Sequence, residues 1–229
     1  MQRVRLQTIG DAMKQVVPST QKRAPLAQQI AGLTPRAAAS LVAEVRDCTL
    51  CATALPHAPR PILQYHPDAR ILIVGQAPGS KVQASGVPFD DASGDRLREW
   101  MGIDRETFYD RKCVALLPMG FCYPGTGKSG DLPPRPECAP AWRERLMAGL
   151  ANIKLTLVVG QYAKAWHLPQ SAALNITDTV KAWRDYGPAI LPRPHPSPRI
   201  TIWLKRNPWF GEEVLPVLRG RVTQILREE

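Results

Sequence analysis

Three short segments of this chain carry residue types that can handle a ligand. Gly75-Gln76-Ala77-Pro78-Gly79 follows the apolar run Ile71-Leu72-Ile73-Val74, so it is a turn at a strand end. Gly86-Val87-Pro88-Phe89 comes a little further on and puts an aromatic face beside it. The third is Pro194-His195-Pro196-Ser197-Pro198-Arg199, where proline on both sides of the histidine fixes a loop rather than a core strand. Loops at the carboxyl ends of strands are where open α/β sheets hold ligands. The first turn is glycine-rich, yet it has neither the Gly-x-x-x-x-Gly-Lys-Ser/Thr nor the Gly-x-Gly-x-x-Gly pattern of the common phosphate loops. A second set of reactive groups is the five cysteines: Cys48-x-x-Cys51, Cys113, Cys122 and Cys138. A reducing cytosol disfavours disulfides, which leaves metal ligation or plain burial.

These residues need a scaffold, and the hydrophobic pattern supplies one. Continuous apolar runs predict strands over 71–74, 113–117, 155–159 and 189–191. Helical patterns fall over 25–45, 95–101, 141–153, 161–166 and 177–186, and over 208–226 with an interruption at Pro216. Short buried strands alternating with helices predict an α/β fold, a three-layer α/β/α sandwich around a central, mainly parallel four-stranded sheet. The loops after Val74, Leu117 and Leu191 then meet at one edge. Residues 1–24 read as a polar, frayed extension, and 25–229 as a single domain. The proline-rich stretches 118–140 and 188–198 read as ordered loops, because aromatic residues and cysteines sit among the prolines.

The chain has 229 residues, 44% of them hydrophobic, enough for one sizeable core. Its net charge of +10 and pI near 9.7 suit a surface that meets polyanions. No apolar run is long enough to span a bilayer, and the first residues lack the apolar centre of a signal peptide. A soluble, cytoplasmic monomer is the expectation.

Taken together and in order, the three segments resemble the uracil-DNA glycosylase superfamily. Gly75-Gln76-Ala77-Pro78-Gly79 matches its base-binding turn, Gly86-Val87-Pro88-Phe89 its Gly-x-Pro-Phe segment, and His195-Pro196-Ser197 its His-Pro-Ser motif. The resemblance runs from about Arg46 to the last helix. It implies a DNA glycosylase that hydrolyses the N-glycosidic bond of uracil, or a related deaminated base, in base excision repair. Such an enzyme holds an extruded base and stabilises the charge that leaves with it. The backbones of Gly75, Gln76 and Ala77 would meet the base, Phe89 would stack on it, and His195 would donate a hydrogen bond to its carbonyl. Ser197 would grip a phosphate and Arg199 or Ile200 would sit at the strand-penetrating position. Met119 is carried as a base contact after the second strand, and Phe121 or Tyr123 as further candidates. DNA, single- or double-stranded, would be the partner.

The cysteine spacing is similar to that of the iron–sulphur, family 4-like branch. That resemblance assigns Cys48, Cys51, Cys122 and Cys138 to a [4Fe–4S] cluster, with zinc as the alternative because four thiolates suit either metal. Cys113 reads as a small core residue within the second strand. The cluster would clamp the N-terminal segment to the long loop.

Two departures stand out. The aspartate that positions the attacking water in the most active relatives is replaced by Ala77, and Gln76 precedes it where the branch usually has glutamate. Asp90 and Asp91 could substitute, or simply cap the following helix. The asparagine that reads uracil has no counterpart in Leu116-Leu117-Pro118-Met119-Gly120. Two alternatives therefore stand beside uracil excision: a weak or inactive nucleic-acid-binding member of the fold, and a glycosylase for another damaged base.

Overall fold

The structure, a computed structural model, describes residues 33–128 and 130–228. The extension 1–24 and the start of the helix expected over 25–45 lie outside the described residues.

Four strands form the central sheet: β1 (Ile71–Val74), β2 (Val114–Leu116), β5 (Leu155–Val159) and β6 (Ile190–Arg193). They lie in the order β2-β1-β5-β6 and every neighbouring pair is parallel. Two short strands, β3 (Thr126–Gly127) and β4 (Gly130–Asp131), make a separate antiparallel hairpin inside the proline-rich loop.

The sheet is parallel because both its faces are buried. Alternate residues of each strand feed opposite cores, as the two-residue strand period requires. Leu72, Val74, Ala115 and Val158 enter one core. On that side lie α1 (Pro35–Arg46), α5 (Cys138–Ala148) and α6 (Gly160–His167), represented by Leu41, Val45, Leu146 and Ala163. Ile71, Ile73, Val114, Leu116, Leu155, Leu157 and Val159 enter the other. That core is covered by α3 (Ala92–Met101), α7 (Ile176–Lys181) and α9 (Leu215–Arg227), through Leu97, Val180, Leu218 and Val222. The result is the three-layer α/β/α arrangement that the apolar runs predict. The smaller helices are α2 (Ser80–Ser85), α4 (Arg105–Tyr109) and α8 (Thr201–Arg206).

Local chemistry sets the helix ends. Thr34 caps α1, accepting from the Ala37 amide, and Pro35 occupies its first turn, where a missing N–H costs nothing. Pro216 falls in the first turn of α9 and does not break it; a π-turn over Phe210–Val214 precedes it instead. Trp203, Trp209 and Phe210 meet edge-to-face at ring distances of 5.5–6.3 Å, and the Trp203 ring N–H donates to Thr177. These partly buried tryptophans pack the closing helices against the core.

Candidate active site

A single cavity of about 480 Å³ opens at the carboxyl edge of the sheet. Gly75, Gln76, Ala77, Pro88, Phe89, His195, Ser197 and Arg199 all line it. Segments far apart in sequence are thus brought to one place, as parallel strands with their loops at one end require.

The first turn is tied to the loop after β2. The Met119 amide donates to the Gly75 carbonyl at 2.9 Å and the Gly120 amide to the Gln76 carbonyl at 3.0 Å. Among the described residues, the amides of Gln76 and Ala77 have no backbone carbonyl partner. Both residues line the cavity, so the turn offers it donors. Met119 does not reach the cavity. Its side chain is buried in the core on the α5 side, and its neighbours Leu116 and Pro118 form that wall. Phe121 and Tyr123 are also buried away from this cavity.

Phe89 is half-buried, with its ring edge-on to Phe108 at 6.2 Å and beside Gly75. Its backbone has φ 56°, a left-handed conformation that costs an aromatic residue about 1–3 kcal/mol. Gly94 makes the conformation possible. A Cβ there would lie 1.7 Å from the Phe89 carbonyl oxygen. The strained residue is the one whose ring faces the cavity.

His195 follows β6, and burial holds its imidazole below the usual histidine pKa. Asp91 and Asp131 face it electrostatically and pull the other way, but burial is the larger effect. At neutral pH the ring is uncharged, with one nitrogen protonated and able to donate. The loop carrying it is pinned to α3, because the Arg96 guanidinium donates to the Ser197 carbonyl at 2.7 Å. Arg199 is exposed at the cavity rim, Ile200 packs against the core, and Ile202 is 64% exposed nearby in sequence.

The carboxylates divide. Asp90 is held by Arg105 at 2.8 Å and does not line the cavity. Asp91 does both things: it caps α3 through the Gly94 amide at 2.9 Å, and it lines the cavity. Asp131, at the end of the β3–β4 hairpin, also lines it and was not singled out from sequence. Nothing local in sequence marks it, because the hairpin strands are two residues long and lack apolar alternation.

Residues 63–219 match the family described as the uracil DNA glycosylase superfamily. The chain belongs to that superfamily. The matched span runs from before β1 into α9 and contains all three cavity segments. Its general chemistry is accordingly of the DNA glycosylase type, and the superfamily acts on DNA. No helix among the described residues is long and apolar enough to cross a membrane.

In this superfamily member, Cys48, Cys51, Cys122 and Cys138 line one second cavity together with Trp142, Phe121 and Arg135. The Trp142 indole donates to the Cys48 sulfur at 3.3 Å, and the Phe121 amide to Cys138 at 3.4 Å. The Cys51 thiol lies 3.8 Å from the Glu137 carboxylate, which Arg135 pairs at 2.7 Å. Burial pushes the Cys138 thiol up to about 12 and raises Cys122 and Cys51 as well. Among the described residues, no group of three or more His, Cys, Asp or Glu side chains is arranged to hold a metal ion. Cys113 stands apart. It precedes β2 rather than lying within it, is half-buried, and sits beside Asp110 and Arg70.

Arg143 links the two cavities. It is buried in α5, the helix that begins at Cys138, and donates to the Leu117 and Pro118 carbonyls at 2.7 and 2.9 Å. It therefore fixes the wall that Pro118 gives the first cavity.

Proposed function

We propose that this protein hydrolyses the bond between deoxyribose and uracil, or a related deaminated base, in DNA. The observation that carries the reading is the single cavity in which neutral His195, the ring of Phe89 and the Gln76–Ala77 turn meet. An extruded base would stack on Phe89 and accept hydrogen bonds from the turn amides. As the bond to the sugar breaks, its electrons go to the base. His195 would donate a hydrogen bond to the carbonyl where that charge gathers, a contribution worth about 10²–10³ in rate. Ser197 and Arg199 would hold the flanking phosphate, and the +10 charge would draw the strand in.

Base choice would rest on the wall formed by Leu116 and Pro118. Neither side chain offers a donor–acceptor pair, and a site without one discriminates weakly between bases of similar shape. That favours a glycosylase with broad tolerance for deaminated bases as the second reading.

Cys48, Cys51, Cys122 and Cys138 would hold a [4Fe–4S] cluster. The donor set fits: four thiols around one void, two of them already receiving N–H groups. The same four thiols would suit zinc as the alternative, and iron content separates the two. The cluster would supply cross-linking, joining the segment after α1 to the loop and helix that shape the first cavity.

The test is a set of oligonucleotides carrying uracil, hypoxanthine or xanthine, single- and double-stranded, incubated with protein and then cleaved by alkali at abasic sites. Scission at uracil or another deaminated base supports the proposal. DNA binding without base release from any substrate would overturn it in favour of a binding protein.

A further inference from the structure

We infer that Asp131 is the carboxylate that takes a proton from the attacking water, in place of the acidic side chain missing at positions 76 and 77. The inference rests on the glycosylase reading above and deepens it.

Four observations lead there. Asp131 lines the same cavity as His195 and Phe89. Its charge is felt at His195. A Cβ on Gly79, within the first turn, would stand 3.4 Å from the Asp131 Oδ2. Finally, Asp131 is exposed, so water reaches it.

The hairpin that carries Asp131 is held by the residue standing where the carboxylate would otherwise be. The side-chain amide of Gln76 donates to the Leu132 carbonyl at 2.9 Å. An ionised glutamate has no proton to give and would meet that carbonyl with like charge. The Leu132 amide donates to the Gly125 carbonyl at 2.8 Å, closing the hairpin base. At the turn, a Cβ on Gly130 would meet the Arg199 guanidinium at 3.4 Å, so the hairpin also packs against the His195 loop. Gln76 and Asp131 thus form a matched pair. The first gives up the carboxylate role and tethers the segment that supplies it.

Asp91 is the rival, and its geometry is worse for the task. One of its oxygens already accepts the Gly94 amide at the N-terminus of α3. That hydrogen bond commits the oxygen to capping α3, so it is not free to orient a water.

The step balances without a further reactant. The C1′–N bond breaks with both electrons passing to the base, and water forms a new bond to C1′. The proton released from that water goes to Asp131, and from there to the departed base or to solvent.

The test compares the wild type with Asp131→Asn, Asp131→Glu and Asp91→Asn under single-turnover conditions on a single-stranded uracil oligonucleotide. Asparagine keeps the shape of aspartate and removes its basicity. Asp131→Asn should lower the rate of base release by 100-fold or more, with DNA binding no weaker and the melting temperature unchanged. Asp131→Glu should recover part of the rate. A rate for Asp131→Asn within about threefold of the wild type, or a large loss that falls on Asp91→Asn instead, would overturn the assignment while leaving the glycosylase reading intact. A wild type that releases no base from uracil, hypoxanthine or xanthine oligonucleotides, single- or double-stranded, removes that reading, and this inference with it.

Discussion

The carbonyl oxygen of Phe89 occupies the space where a side chain on Gly94 would begin, 1.7 Å from an added Cβ. The left-handed backbone of Phe89 and the missing side chain of Gly94 are therefore one feature, and it aims an aromatic ring at the cavity. Gly94→Ala must move either the helix start or Phe89. We expect a loss of about 2–4 kcal/mol in unfolding free energy, read by chemical denaturation, and a larger fractional loss of base release.

Gln76→Glu replaces a donor to the Leu132 carbonyl with an acceptor. The hairpin should loosen, and base release should fall at least tenfold, the scale of one lost hydrogen bond to a positioned group. The residue is at the cavity rather than in the core, so the melting temperature should change by only a few degrees. Kinetics and thermal melts on the same preparation check both halves.

His167 gives a stability prediction with a definite sign. The Arg143 guanidinium lies 3.0 Å from its ring nitrogen, and burial first, then that neighbouring charge, lowers its pKa from 6.5 to about 4. Between these values the unfolded chain binds a proton that the folded chain does not. Stability is therefore greatest above pH 6.5 and falls as pH drops toward 4, by about 2–3 kcal/mol from this group. Buried His195 adds to the same trend. In His167→Gln, denaturation midpoints measured from pH 7 to 4 should decline less steeply than in the wild type.

The cysteines are tested by colour and iron content. Anaerobically purified protein should be yellow-brown, with broad absorbance near the edge of the visible range, and Cys122→Ser or Cys138→Ser should abolish it. Cys113→Ser should keep it, since Cys113 lies away from the other four beside Asp110. A colourless wild type carrying one zinc per chain would contradict the cluster.

How far the sequence revealed these features depends on how local their causes are. The strands β1 and β5 stand where their apolar runs place them, because burial on both faces demands continuous Val, Leu and Ile. The strand β6 extends two residues past the expected end, through Pro192 and Arg193, which pair with Val158 and Val159 in spite of poor strand propensity. Helix α5 begins earlier and ends earlier than its pattern suggests, at Cys138 and Ala148. The hairpin β3–β4 left no periodic signal, so neither it nor Asp131 could be placed from sequence. The meeting of His195, Phe89 and the Gln76 turn is legible because the Gln76 turn and His195 directly follow two strands of one parallel sheet, with Phe89 in the longer connection after the first of them. Met119 failed to join them because the loop after β2 turns its side chain inward while its amide holds Gly75.

The most direct test of the central claim is the single-turnover rate of uracil release by wild-type protein and by His195→Ala, on the same oligonucleotide at pH 7.5. The wild type should release the base, and the variant should be slower by about 10²–10³ while binding the strand with similar affinity. Equal rates for the two proteins would contradict the account, since the buried neutral imidazole would then have no part in carrying the charge of the departing base.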